Sequence, residues 1–185
     1  MPALRLWKVL LAARFKPRLG PLDESVLHVR VWPNDLDLNR HLNNGRAMTL
    51  TDLGRWDFVV RSGLLPKAIK RGWGTAVARA NVRFRRPANL FQRLTIRTRI
   101  LCWDEKRIYM EHRIERGPDL VLRSLLETAI VGKGRAIPSR ELMHVLGVDT
   151  ESPPMPGEVK EWLAVVARES EKQKETTKKH LVPAP

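Results

Sequence analysis

The densest set of reactive side chains in the chain is the run Asp35-Leu36-Asp37-Leu38-Asn39-Arg40-His41-Leu42-Asn43-Asn44-Gly45. It sets two carboxylates, a histidine and an asparagine pair directly before a stretch with helical periodicity. A carboxylate in such a place can act as a general base or as a nucleophile in hydrolysis. The free N–H groups and the dipole at a helix N-terminus stabilise negative charge, including the oxyanion formed when a carbonyl is attacked. The same run also reads as a polar loop with an Asn or Asp helix cap, which needs only one of these residues. Both readings stand on the residues alone.

Such a loop needs a strand before it and a helix after it. Val26-Leu27-His28-Val29-Arg30-Val31-Trp32 alternates with period two and closes at Pro33-Asn34. Residues 44–62 place Ala47, Leu50, Leu53, Gly54 and Phe58 at helical spacings, with Gly63 as the stop. Four more strands are predicted over 75–86, 94–103, 107–116 and 120–131, the last two separated by the hairpin signal Gly117-Pro118-Asp119. In 75–86, Ala76, Ala78 and Ala80 share a face with Val82 and Phe84, and small side chains there would let the helix approach the sheet closely. One helix after the first strand, then an antiparallel meander, is an α+β arrangement. Parallel βαβ topology is excluded because its crossover helices are missing. A short helix is predicted over 138–146 and another over 158–169 around Trp162, with 170–185 as a disordered tail. The chain thus divides into a basic, helical N-terminal segment (1–24), a main domain (25–148) and a C-terminal extension (149–185).

The 185 residues suit one domain with tails, and 43% hydrophobic with 29% charged residues is a globular composition. A single cysteine, Cys102, excludes an internal disulfide and a multi-cysteine zinc site. No apolar run approaches the roughly 18 residues of a membrane-spanning helix. The 34 Lys+Arg against 20 Asp+Glu give +14, unevenly placed. Residues 149–185 hold 7 acids and 6 bases, so residues 1–148, with 28 bases and 13 acids, carry +15. Such a field attracts anions: nucleic acid, acidic lipid headgroups or a phosphorylated small molecule. Segment 1–20 mixes Leu6, Trp7, Leu10, Leu11 and Phe15 with Arg5, Lys8, Arg14, Lys16 and Arg18, and lacks the unbroken apolar run of a secretory signal. It reads as a helix packed on the domain, the simpler reading, or as a basic interfacial helix touching anionic membrane.

Other reactive side chains carry less. A histidine placed before a helix cap, as His41 is, serves more readily as a hydrogen-bonding brace than as a base. His28, His112 and His144 lack paired Cys or carboxylate spacing, so no metal site is expected. Cys102, isolated, reads as a buried structural thiol. Trp32, Trp56, Trp73 and Trp103 alternate with arginines, as in nucleic-acid binders, yet core and interface tryptophans account for them. Arg83, Arg85, Arg97 and Arg99 lie on strands whose opposite faces are apolar. They either bind substrate phosphates through charge-assisted hydrogen bonds or merely solubilise the sheet. No Gly-rich phosphate loop is present.

Asp35-x-Asp37 followed by His41-x-Asn43-Asn44 resembles the D-x-D-x-x-G-H-x-N-N signature of the 4-hydroxybenzoyl-CoA thioesterase-like branch of the hotdog-fold acyl-CoA thioesterases. The resemblance continues at Asp52-x-x-Arg55, in Val82-x-Phe84-x-Arg86-Pro87, in Leu90-Phe91-Gln92 and in Ile100-Leu101-Cys102-Trp103-Asp104-Glu105-Lys106. These last stretches look most like the subgroup that includes thioesterase superfamily member 6 and its bacterial relatives. The matches span about residues 26–135. The resemblance implies a hotdog fold, a five-stranded antiparallel sheet wrapped around a central helix, assembled as a homodimer or tetramer with active sites at the subunit interface. It also implies Asp37 as the catalytic carboxylate and an amide near Asn44 or Gly45 as the donor that polarises the thioester carbonyl. His41 is then a supporting residue and Asp52 the reserve acid; beside that resemblance, Asn43, Arg83, Arg85 and Arg86 are the candidate substrate contacts. Two positions depart from the pattern. Arg40 stands where the family usually has Gly, a residue often needed for a conformation that arginine takes poorly. Ala47 stands where an aromatic side chain would face the acyl or pantetheine channel.

The expected function is hydrolysis of an acyl-CoA thioester by water, with Asp37 as general base or nucleophile. No metal or redox cofactor is expected, and coenzyme A enters only as part of the substrate. The expected setting is cytoplasmic, with weak contact to an anionic membrane. A second expectation keeps the fold without turnover: a dimer that holds acyl-CoA or acyl-carrier thioesters at a membrane surface. Arg40 and Ala47 favour it; Asp37 and Asn43-Asn44 disfavour it. Nucleic-acid binding through the +15 surface is the third and is not expected.

Overall fold

The computed structural model describes residues 2–149 and 151–180, with side chains placed for 4–149 and 151–173. It divides into a unit ending at Pro153 and a second unit beginning at Pro154. The first unit runs α1 (Pro2–Ala13), β1 (Ser25–Arg30), a 3-10 turn (Pro33–Asp35), α2 (Asn44–Arg61), α3 (Leu64–Arg71), β2 (Trp73–Phe84), β3 (Arg93–Trp103), β4 (Ile108–Arg116), β5 (Asp119–Gly132), β6 (Arg135–Ile137) and α4 (Ser139–Leu146). The sheet is antiparallel throughout, in the order β1-β3-β4-β5-β2. β6 is a sixth, three-residue strand that pairs with β5 at Ile130–Gly132, beyond the end of β4. The five strands and the long helix predicted from periodicity lie within two residues of the observed ones. The curled antiparallel sheet around one long helix is the hotdog architecture.

α2 lies against β3, β1 and β4. Its first half joins Leu27, Val31, Leu42, Leu94, Ile96 and Leu122 in one buried cluster, and Phe58 joins Ile100, Met110, Leu126 and Leu142 in a second. Each such large side chain removed from water contributes about 1.5–3 kcal/mol. Gly54 is the point of closest approach: a Cβ there would meet Thr98 Oγ1 at 2.6 Å and Ile96 Cγ2 at 2.7 Å. The small residue that admits the helix is therefore on α2, facing β3. The alanine face of β2 does not receive the helix, and Ala76, Ala78 and Ala80 are all exposed. β2 is the outermost strand, bulged between Val77 and Arg79 and paired on one side with β5.

α1 packs on this core through Leu6 and Val9, and Ala13 is buried as well. α3 was not anticipated. Gly63 and Gly72 bracket it at φ 72° and 65°, so the stop signal at Gly63 is also the start of a second, shorter helix. The second unit contains α5 (Gly157–His180). The tail expected to be disordered from residue 170 is helical to His180, and 181–185 lie outside the described residues. Glu, Lys and Gln are frequent in 169–173, and they are good helix formers.

Candidate active site

The loop between β1 and α2 is pinned at both ends. Asp35, 3% exposed, closes the 3-10 turn by accepting the Trp32 N–H at 2.8 Å. Arg5 of α1 forks onto its two carboxylate oxygens at 3.0 and 2.7 Å. The Asp35 carbonyl accepts the Asn43 N–H at 2.8 Å. The first motif aspartate is thus a structural anchor. Its partner could not be paired from spacing, being thirty residues upstream on a helix whose inward face is otherwise apolar.

Asp37 differs. It is partly buried, and its Oδ1 accepts the backbone N–H groups of Asn39 at 2.9 Å and His41 at 3.2 Å. Its own N–H donates to the His41 carbonyl at 2.9 Å, and Arg40 N–H donates to the Asp37 carbonyl at 3.0 Å. Oδ2 has no protein partner among the described residues. Arg40 sits at φ 59°, in the left-handed region that favours glycine. Arginine takes the same conformation at a cost of about 1–2 kcal/mol. The turn is then sewn to the β2–β3 connection, with Leu42 N–H donating to the Ala88 carbonyl at 2.7 Å and a bridge between His41 and Asn89. His41 braces the loop through its backbone. Its ring is exposed and makes no hydrogen bond among the described residues.

Asn43 caps α2: its Oδ1 accepts the N–H groups of Gly45 at 3.0 Å and Arg46 at 3.2 Å. Such a cap is worth about 1 kcal/mol. The Gly45 amide is therefore occupied, and Ala47 N–H bonds the Asn43 carbonyl at 2.8 Å. Asn44 carries the one first-turn N–H left without an acceptor among the described residues. Asp52, half exposed at 49%, forms an ion pair with Arg55 at 2.7 Å, one turn along the helix. Ala47 is 3% exposed and belongs to the core cluster, so no open channel reaches it within one chain. The cleft beside Asp35, lined by Arg5, Asn34, Arg46 and Thr49, encloses about 20 Å³, room for a single water.

The arginines assigned to phosphate contact separate into two groups. Arg97 bonds Glu24 at 2.7 Å and Glu115 at 2.8 Å, and Arg99 and Arg123 converge on Glu111. These guanidinium groups are committed to a lattice on the sheet. Arg86 lies 3.3 Å from Asp119, whose carboxyl is held below the usual carboxylate range by the Arg116 hydrogen bond and by the charge of Arg86. Arg83 and Arg85 are exposed and make no ion pair among the described residues. The rim near the loop also carries apolar surface: Leu38 is fully exposed, and Trp32 and Phe91 meet edge to face at 6.0 Å. Phe91 stands at φ 61°. Its part in the rim was missed, because nothing in Leu90-Phe91-Gln92 signals a strained, outward-facing ring.

Two further titratable groups are buried away from this loop. Cys102 is fully buried, and burial, then Asp104, pushes its thiol up to about 11. His112 lies fully buried in the sheet, its Nδ1 2.8 Å from Thr98 Oγ1. Burial, then the Arg55 charge, pushes the His112 ring down to about 3. Among the described residues no three His, Cys, Asp or Glu side chains gather as metal ligands would.

A curled sheet, a central helix and an aspartate-bearing loop at its N-terminus define the thioesterase class. Residues 31–163 match the thioesterase-like superfamily, and the chain belongs to it. Thioester hydrolysis is the chemistry for which that superfamily is named. The chain is similar to Protein THEM6 of Xenopus laevis, 32% identical over 158 residues that make up 84% of this chain and 75% of that protein. The probable thioesterase YbaW of Escherichia coli superposes with a TM-score of 0.62 at 24% identity, covering 66% of this chain and 96% of that one. The 1,4-dihydroxy-2-naphthoyl-CoA thioesterase Slr0204 of Synechocystis gives 0.59 at 15% identity, covering 67% and 95%.

Proposed function

We propose that the protein hydrolyses acyl-CoA thioesters, with Asp37 as the reacting carboxylate. The observation that carries this is the asymmetry of its two oxygens: Oδ1 is fixed by two backbone amides, and Oδ2 has no partner among the described residues. As a general base, Oδ2 takes a proton from water while the water oxygen attacks the thioester carbon. The Asn44 N–H receives the negative charge that develops on the carbonyl oxygen. The C–S bond then breaks, the coenzyme A thiolate leaves, and the proton passes to it.

A second copy of the chain completes the site in this reading. The cleft beside Asp35 in one chain holds about 20 Å³, far too small for an acyl group and pantetheine. The outer edge of β2 is a long row of unpaired backbone groups with Val77 46% exposed, the kind of edge that pairs with another strand. Joining two β2 edges would bury that row and bring a neighbouring surface against each loop. Arg83 and Arg85, at the end of β2 nearest the loop and free of ion pairs among the described residues, are the residues best suited to the phosphates of coenzyme A. The binder without turnover loses one of its supports, since Arg40 adopts the backbone conformation that a glycine would.

The test is a panel of acyl-CoA esters with a free-thiol readout, run on the wild type and Asp37→Asn. The asparagine keeps the Oδ1 acceptor and removes the charge, so turnover should fall about 10²-fold or more at unchanged circular dichroism. Near-wild-type turnover in the variant would remove Asp37 from the chemistry and make Asp52→Asn the next experiment. Ultracentrifugation should show at least a dimer of the 21.3 kDa chain, and a strict monomer at micromolar concentration would contradict a shared site.

A further inference from the structure

α1 has two apolar faces. Leu6, Val9 and Ala13 turn toward the domain, with Val9 and Ala13 buried. On the other side Leu4, Trp7, Leu11 and, just past the helix, Phe15 are 54, 70, 63 and 84% exposed. Their spacing of three and then four residues draws one stripe along the helix. Ile69 of α3, 70% exposed, extends the stripe across an open groove of about 640 Å³ between α1 and α3. A continuous apolar surface of this kind marks an interaction site rather than ordinary exposure.

The charge around it selects the occupant. Lys8, Arg14, Arg18 and Lys70 are exposed and make no ion pair among the described residues. The bases nearer the core are spoken for: Arg5 by Asp35, and Lys16 and Arg61 by Asp57. Neither the first twenty-two residues nor α3 contains an acid. A second copy of this face would meet the same positive charge, and like charges brought together oppose association. A surface of anionic phospholipid meets both demands, taking apolar side chains below the headgroups and bases at the phosphates.

We infer that the α1–α3 face docks the protein on an anionic membrane surface, with Trp7, Leu11, Phe15 and Ile69 entering the headgroup layer and Lys8, Arg14, Arg18 and Lys70 on the lipid phosphates. No helix of the described residues is long and apolar enough to cross the bilayer, so this attachment lies in the interface plane and is reversible. It does not depend on the thioesterase reading.

The experiment is co-sedimentation of the full chain with phosphatidylcholine vesicles, with and without phosphatidylglycerol, over a salt series. The wild type should bind the anionic vesicles only, and less so as salt rises. Trp7→Glu with Leu11→Glu, two exposed positions whose change leaves the buried face of α1 intact, should lower the partition coefficient about tenfold or more. Lys8→Glu with Arg14→Glu and Arg18→Glu should do the same through charge. Circular dichroism checks that both variants fold. As an independent measurement, brominated lipid should quench the wild-type tryptophan fluorescence, and Trp7→Phe should lose that quenching while still binding. Equal binding by wild type and variants, binding to neutral vesicles, or quenching unaffected by Trp7→Phe would overturn the inference. So would vesicle-free protein whose oligomer falls apart in the Trp7/Leu11 variant, an outcome that assigns the face to self-association instead.

Discussion

The two ends of α2 treat their carboxylates in opposite ways. Near the C-terminal end, Asp57 is fully buried and saturated. Ser25 Oγ donates to it at 2.6 Å, Lys16 Nζ at 2.7 Å and Arg61 at 3.1 Å. Near the N-terminal end, Asp37 is partly exposed, and one of its oxygens is unclaimed among the described residues. Both are aspartates beside a basic chain, and neither net charge nor hydropathy tells them apart. What separates them is spare hydrogen-bonding capacity together with access to solvent. A saturated, sealed carboxylate can only hold structure, because any substrate atom would first have to displace a protein partner. Asp35 shows that membership of a motif does not decide the matter either. It shares the D-x-D with Asp37, yet it belongs with Asp57, sealed and paired to a cation from the N-terminal segment.

Replacing each carboxylate should sharpen this contrast. Asp57→Ala removes the acceptor for two cations of the N-terminal segment and α2, and removing one partner of a buried ion pair costs about 3–5 kcal/mol. Lys16 is partly exposed and can turn to water, so the lower end of that range is expected, read as a drop in the urea midpoint. A loss below about 1 kcal/mol would erase the distinction between the two ends. Asp37→Asn should do the reverse, moving the urea midpoint little while turnover falls about 10²-fold. A large stability loss in that variant would mean the second aspartate is also a structural anchor.

How much of this could be read in advance follows the same division. The strands and α2 were legible because period-two and helical spacing are local properties, and Gly117-Pro118 marks the β4–β5 turn by itself. The loop was legible as a candidate site because its residue types cluster in sequence. The long-range partners were not. Arg5 reaches Asp35 in the loop, and Lys16 reaches Asp57 on α2, across separations that spacing does not encode. Of the two amides expected as oxyanion donor, near Asn44 or Gly45, the Gly45 one is already taken by Asn43, since a cap and an oxyanion site compete for the same N–H groups. The alanine face of β2 was read as a seat for the helix, because an edge strand awaiting a partner and a strand under a helix look alike in one dimension. α3 was hidden behind Gly63, where one glycine ends a helix and begins the next.

The polar groups beneath the middle of α2 should behave like Asp57 and not like Asp37, and pH tests that. His112 is fully buried with its ring pushed down to about 3, from an ordinary value of 6.5, by burial first and the Arg55 charge second. Between those two values the unfolded chain binds a proton that the folded protein refuses. The stability from this neutral ring is fully present above pH 6.5 and is lost as pH falls toward the folded value, by about 1.4 kcal/mol per unit. Urea midpoints measured between pH 7 and about 5, above most carboxylate titrations, should therefore fall with acid in the wild type. His112→Gln should be less stable at neutral pH but should flatten that slope. An unchanged slope would show that the ring is open to protons, as the Asp37 end is to solvent.

The smallest effect concerns the backbone that presents Asp37. Arg40 at φ 59° is held there by its N–H bond to the Asp37 carbonyl and by the two amides that grip Asp37 Oδ1. A glycine would adopt this conformation without the steric cost, about 1–2 kcal/mol for a residue with a Cβ. It would also give the unfolded chain more freedom, which takes back about 0.4–1 kcal/mol. Arg40→Gly should thus stabilise the protein by about 1 kcal/mol or less, read as a small rise in the urea midpoint. Turnover is the sharper readout. If the hydrogen bonds fix the turn unaided, kcat stays as it is, because they already hold Asp37 in place. A gain in kcat of about tenfold or more would mean that the arginine displaces the carboxylate in the working enzyme, and that the exposed end of α2 carries strain that its sealed end does not.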